Sequence, residues 1–144
     1  MQQEPQNHRV LQMRLVVEAD DYDEAVRFYR DVLGASEELT VHGEQGESVT
    51  ILDVGRATLE LSNPAQVDLI DRVEVGARVS PRLRVAFEVS DTAEVTAELI
   101  EHGATSLAPP TITPWGSLNA RLEAPAGLQI TIFEETESPP RADE

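Results

Sequence analysis

The sequence predicts an α+β fold made of two tandem βαβββ modules. Three observations carry the prediction: a pattern that recurs within the chain, an alternating segment followed by a helical one in each copy, and three short extended runs after each helix. The recurrence is seen by sliding the chain along itself, when residues 13–34 fall on residues 83–103 with an offset of about seventy positions. Arg14 then matches Arg84, Glu18 matches Glu88, Asp21 matches Asp91 and Glu24 matches Glu94, and each stretch ends in Gly-Ala, at Gly34 and at Gly103.

Each copy opens on a strand. Leu15, Val17 and Ala19 alternate with Arg14, Val16 and Glu18, and Val85 and Phe87 alternate with Arg84, Ala86 and Glu88 in the second copy, the two-residue period of a half-buried strand. An Asp-x-x-Glu capping box follows at Asp21 and again at Asp91 and opens a helix. Ala25, Val26, Phe28, Tyr29, Val32 and Leu33 recur at three- and four-residue spacings in the first helix, as do Val95, Leu99 and Ile100 in the second, so each buries one face against a sheet. Gly34 and Gly103 stand where a left-handed residue ends a helix.

Three Thr-, Val- and Leu-rich runs bounded by Gly and Pro complete each module. They are expected near Glu38–Val41, Val49–Val54 and Ala57–Ser62 in the first, and near Ser106–Ala108, Leu118–Glu123 and Leu128–Phe133 in the second. Ala-Pro-Ala-Gly at 124–127 supplies the last turn. Module 1 thus spans 10–64 and module 2 spans 82–135, with a connector at 65–81 that holds a helical turn around 67–73. Residues 1–9 and the acidic stretch 136–144 read as disordered tails, the latter because Ser138, Pro139 and Pro140 break any element.

The 144 residues are 40% hydrophobic, enough for one folded core. Acidic residues number 27 against 11 basic, a formal charge of −16. Such a surface repels phosphates and anionic headgroups, so neither nucleic acid nor membrane is an expected partner. No apolar run reaches the roughly 20 residues a bilayer requires, and no signal-like segment opens the chain, so a cytoplasmic location is expected. There is no cysteine, which excludes disulfides, thiolate catalysis and Cys-ligated metals. No P-loop, dinucleotide-binding glycine motif, nucleophile elbow or H-E-x-x-H motif occurs.

The repeated strand–helix–three-strand unit, Asp-x-x-Glu-Ala-x-x-Phe-Tyr-x-x-x-Leu-Gly at 21–34, Leu59-Glu60-Leu61 and Ala-Pro-Ala-Gly-Leu-Gln-Ile at 124–130 together resemble the vicinal oxygen chelate superfamily. That group contains glyoxalase I, extradiol dioxygenases and bleomycin- or fosfomycin-resistance proteins. The resemblance implies a mixed sheet curled around a pocket and a homodimer. In metal-dependent relatives it also implies a His or similar ligand on the first strand of each module and a Glu on the last. This chain has Arg14 and Arg84 at the first positions, Glu60 and Thr131 at the second. A guanidinium has no lone pair and keeps its proton, while a divalent metal needs about three ligands from His, Cys, Asp or Glu. Of the four positions only Glu60 qualifies. His8, His42 and His102 lie in a tail, a loop and a helix end, so no metal and no other cofactor is expected.

Strand alternation directs Arg14, Val16 and Glu18, Arg84, Ala86 and Glu88, Thr58, Glu60 and Ser62, and Gln129, Thr131 and Phe133 toward the pocket. The ligand-binding candidates are Arg14, Glu18, Glu60, Arg84, Glu88, Trp115 and Thr131. The arginines and glutamates could form an ion network tying the modules together, or leave guanidinium groups open to a carboxylate or phosphate. Trp115, in Thr-Pro-Trp-Gly, is either a packing plug or an aromatic lid over a flat ligand. Tyr22 and Tyr29 read as helix-face packing. The expected function is metal-independent binding of a small anionic or aromatic molecule. The alternatives are a metal-dependent lyase or dioxygenase, or a cofactor-free isomerase with a glutamate base.

Overall fold

The computed structural model describes residues 14–58, 60 and 62–136. Helix α1 (Tyr22–Val26) continues directly into a π-helical segment, Arg27–Val32, and strands β1 (Ser36–His42) and β2 (Ser48–Asp53) follow. Helix α2 (Pro64–Glu74) occupies the connector. The second module comprises β3 (Val85–Glu88), α3 (Thr92–Glu101), β4 (Thr105–Ile112), β5 (Ser117–Ala124), a 3-10 turn at Pro125–Gly127 and β6 (Leu128–Glu135). Apart from Thr136, the tails expected at 1–9 and 136–144 lie outside the described residues, as do Leu59 and Leu61.

Module 2 is the predicted βαβββ unit. Its four strands lie in the order β3-β6-β5-β4, with β3 parallel to β6 and the other pairs antiparallel. Only a crossover can join parallel strands, and α3 begins that crossover. Module 1 forms its helix and an antiparallel β1-β2 hairpin, which makes a separate two-stranded sheet. Its outer strands are not formed: residues 14–19 carry no ladder, and neither do the described residues of 57–62. The reason follows from module 2, where β3 is held by parallel pairing to β6. A strand gains its hydrogen bonds only from a neighbour, and the two segments of module 1 that would pair in this way leave each other without one. Leu15 and Val17, expected under a helix, and Val16, expected to face the pocket, are exposed in consequence.

The helix ends match their sequence signals. Asp21 Oδ1 accepts from the Glu24 amide at 3.1 Å and Asp91 Oδ1 from the Glu94 amide at 3.0 Å, each satisfying a donor that the first helical turn leaves free. Gly34 and Gly103 have φ of +96° and +123°, the left-handed conformation that lets each chain leave its helix without a Cβ clash.

The apolar core joins the two modules. Phe28 of the first helix is fully buried against Leu99 of α3, Leu122 of β5 and Ile130 and Ile132 of β6. Both repeat helices therefore cover one face of the module 2 sheet. Tyr29, edge-on to Phe28 at 5.0 Å, donates its hydroxyl to the Pro125 carbonyl at 2.9 Å. Burial pushes the pKa of that phenol up, so it stays protonated and serves as a donor.

Candidate functional site

The opposite face of the module 2 sheet is polar. On β6, Ile130 and Ile132 point into the core while Gln129 and Thr131 point away, yet both polar residues are buried. Register places Arg121 of β5 beside Thr131 on one side and Ala86 of β3 on the other. Arg84, two residues before Ala86 and on the same face, donates from Nη1 to Thr131 Oγ1 at 2.5 Å. Two guanidinium groups thus flank one threonine on the central strand.

Helix α2 covers this face. Asn63 caps its start by accepting from the Gln66 amide at 2.9 Å, and Pro64 occupies the first turn, where no amide is missed. The only buried residues of the helix are Asp71 and Glu74, three apart and therefore on one side. Arg121, with no exposed surface, binds both: Nη1 lies 3.0 Å from Asp71 Oδ1 and Nη2 lies 2.7 Å from Glu74 Oε1. Arg121 Nη1 also donates to Gln129 Oε1 at 3.0 Å and Ser80 Oγ at 3.1 Å. Glu74 Oε2 accepts from Asn119 Nδ2 at 2.7 Å, and Gln129 Nε2 donates to the Val79 carbonyl at 3.1 Å. Buried charges persist only when paired and hydrogen-bonded, and this set meets that condition almost throughout. Arg121 Nε and Asn119 Oδ1 are buried without partners.

Asp71 also fixes the connector. Its Oδ2 accepts from the Val79 and Ser80 amides at 2.7 and 2.8 Å, and its Oδ1 from the Ser80 hydroxyl at 2.6 Å. Burial pushes the Asp71 carboxyl up, but the bonds from the Ser80 hydroxyl and amide, the Val79 amide and Arg121 outweigh it and hold the pKa at about 2. The folded pKa lies below the ordinary 3.8, so the stabilisation is complete above pH 4 and disappears as pH falls toward 2. The difference corresponds to about 2 kcal/mol. Urea midpoints measured between pH 6 and pH 2.5 should fall across this window, and the fall should be shallower in Asp71→Asn.

Arg84 is the exception among the cations on this face. It is half-buried, and no carboxylate among the described residues is ion-paired with it. Burial, followed by the charge of Arg121, lowers its pKa against the attraction of Glu74, Asp71 and Glu60, although an arginine so shifted remains charged at neutral pH. A desolvated cation that donates to one neutral hydroxyl is electrostatically unfilled.

Of the seven candidates read from the sequence, the structure brings Arg84 and Thr131 together. Arg14 is exposed, with its guanidinium 3.9 Å from Glu38. Glu18 and Glu88 are exposed, and Glu60 is exposed beside the Ser62 hydroxyl at 3.4 Å. Trp115, 42% exposed in the β4-β5 turn, lies at the far end of the sheet: Ser117 pairs with Glu135, whereas Val85 pairs with Ile130. Five residues along β6 separate these pairs, roughly 17 Å. An ion network lies on this face, but its members are Arg121, Asp71, Glu74 and Ser80, which join the connector helix to the module 2 sheet, and not Arg14, Arg84 and Glu60 tying the two modules together. Two signals in the sequence point to it: an arginine flanked by Ala120 and Leu122 in a predicted strand, and two acids at helical spacing in the connector.

The donors do not suit the metal that the metal-dependent relatives would suggest. Arg84 bonded to Thr131 puts a cation at one pair of ligand positions, and Arg14 and the exposed Glu60 occupy the other. Among the described residues no three His, Asp or Glu side chains converge to hold a metal ion. No described helix is long and apolar enough to cross a membrane.

Known proteins share this architecture. A glyoxalase-related enzyme from Fulvimarina pelagi is 18% identical, with a TM-score of 0.54 and coverage of 93% of this chain and 95% of that one. A glyoxalase family protein from Bacillus cereus is 18% identical, with a TM-score of 0.58 and coverage of 93% and 100%. TnmS3, an antibiotic binding protein from Streptomyces sp. CB03234, is 19% identical, with a TM-score of 0.53 and coverage of 90% and 100%. At these identities the likeness speaks to the fold. A search of curated protein sequences gives no match. The profile of the Glyoxalase/Bleomycin resistance protein/Dioxygenase superfamily matches residues 11–132, most of the length, and the chain belongs to that superfamily.

Proposed function

We propose that this protein binds a small anionic molecule, without a metal, on the polar face of its module 2 sheet. The observation that carries the reading is Arg84: a half-buried guanidinium with a neutral hydroxyl as its bonding partner and no paired carboxylate among the described residues. Its planar fork suits a carboxylate or phosphate, and Thr131 sets its orientation. Binding of this kind needs affinity and no bond-making, which fits a site whose donor set does not suit a catalytic metal. The same fold serves binding in the antibiotic binding protein TnmS3.

Calorimetric titration of the full chain with benzoate and with inorganic phosphate tests this. Loss of a charged hydrogen bond costs about 1.5–3 kcal/mol, so Arg84→Met should weaken binding about ten- to a hundredfold. Absence of binding to the parent protein, or equal binding by Arg84→Met, contradicts the reading.

The reading includes a homodimer in the cytoplasm. A chain without cysteine needs no oxidising compartment to fold. Leu15, Val16 and Val17 are exposed in a row, Leu83 is 75% exposed, and β3 is an edge strand of its sheet, a combination that pairing with a second copy would cover. Light scattering on the eluting protein should give twice the chain mass, and a monomer at micromolar concentration would exclude the dimer.

A further inference from the structure

We infer that Glu74 is a displaceable internal occupant of a carboxylate receptor built from Arg121 and Asn119, and that the site takes a small dianion whose second charged group rests on Arg84. The inference rests on the anion reading of Arg84 and adds the ligand class. Glu74 is held as a bound carboxylate would be, with Oε1 on Arg121 Nη2 and Oε2 on Asn119 Nδ2, both at 2.7 Å. The receptor sits on the rigid sheet, while its occupant sits at the last residue of α2. Arg121 Nε is fully buried and unpartnered, so the present occupant leaves one donor of the receptor unused.

The attachment of α2 is also unusual. Its two buried residues are both acids, Leu69 is 43% exposed, and Val67, Ile70 and Val73 are only half-buried. Ion pairs rather than an apolar face hold the helix to the sheet, and a buried ion pair contributes little net stability once desolvation is counted. Asp71 is bound to the connector amides through its other oxygen and stays in place. Glu74, the last residue of the helix before its cap at Val75, can leave when the last turn frays.

A tethered carboxylate competes with free ligand at an effective concentration of millimolar order or above. A monoanion therefore settles on Arg84 alone. A dianion anchored on Arg84 presents its second carboxylate to Arg121 as another tethered group and competes on equal terms. Arg84 and Arg121 flank Thr131 on one face of the sheet, which makes one short molecule able to reach both.

Succinate and butyrate, of equal length with two carboxylates and one, discriminate the cases in the full chain. Glu74→Gln removes the charge and keeps the fit, since its amide can donate to Asn119 Oδ1 and its oxygen can accept from Arg121. We expect Glu74→Gln to tighten succinate binding at least tenfold more than it tightens butyrate binding, because both ligands gain from removing a negative charge near Arg84 and only succinate gains the vacated place on Arg121. In the parent protein, succinate and not butyrate should speed hydrogen exchange of amides 71–76. Succinate binding that is lost in Arg84→Met, with no gain in Glu74→Gln beyond that of butyrate or no change in α2 exchange, overturns the exchange of Glu74 and leaves the Arg84 site standing. Absence of binding of either compound to either protein overturns both.

Discussion

Replacing Arg121 by Met should destabilise the protein by about 3–5 kcal/mol, because it strands the carboxylates of Asp71 and Glu74 in a buried site. Arg121 has no exposed surface and makes four hydrogen bonds, to Asp71, Ser80, Gln129 and Glu74. Since a domain is stable by only about 5–15 kcal/mol in total, the variant should unfold at much lower urea concentration. Adding Glu74→Met should restore part of the loss, since one stranded charge is then gone. A double-variant cycle reads this as a coupling well above the few tenths of a kcal/mol expected of independent sites. Equal midpoints for Arg121→Met and the parent protein would mean that the network contributes nothing to holding α2.

The second large effect is expected in the core. Phe28 belongs to the first repeat but fills the space between Leu99 of α3 and Leu122, Ile130 and Ile132 of the sheet. Phe28→Ala should cost about 3–5 kcal/mol, the usual range for a fully buried phenylalanine, by lost transfer energy and by the cavity left behind. It should also loosen the first helix from module 2, because its neighbour Tyr29 makes the bond to Pro125 from the same turn. Hydrogen exchange of residues 22–33 should therefore rise by more than that of β5 and β6. A uniform rise across the chain would contradict the view that this helix is joined to module 2 chiefly through Phe28 and Tyr29.

Much of this architecture was legible in the residues. Alternation, capping boxes at Asp21 and Asp91, and glycines at 34 and 103 give all of module 2 and the helix and hairpin of module 1. Strand ladders are less legible, since alternation records which face a residue would present but not whether a neighbour is there to pair. Residues 14–19 carry the same alternation as β3 and form no ladder, which left Arg14 exposed beside Glu38 rather than opposite Arg84.

The site was legible where it depends on one strand. Thr131 and Gln129 follow from the alternation of β6, and Arg84 from that of β3. Partners brought from elsewhere were not, because Asp71 and Glu74 reach the sheet only through the path of the connector. The connector reads as a turn around 67–73, whereas α2 runs from Pro64 to Glu74. Extending that turn by one residue puts Glu74 on the same side as Asp71.

Side-chain nitrogen resonances test most directly whether Arg84 is an open anion contact. All eleven basic residues are arginine, and Arg84→Lys assigns the Nε–Hε signal of Arg84 by its disappearance. Titration with succinate should shift that signal progressively and to saturation while those of Arg30 and Arg78, already paired with carboxylates, move little. A signal of Arg84 that stays fixed while succinate binds, or that moves no more than those of Arg30 and Arg78, would contradict an open contact at Arg84.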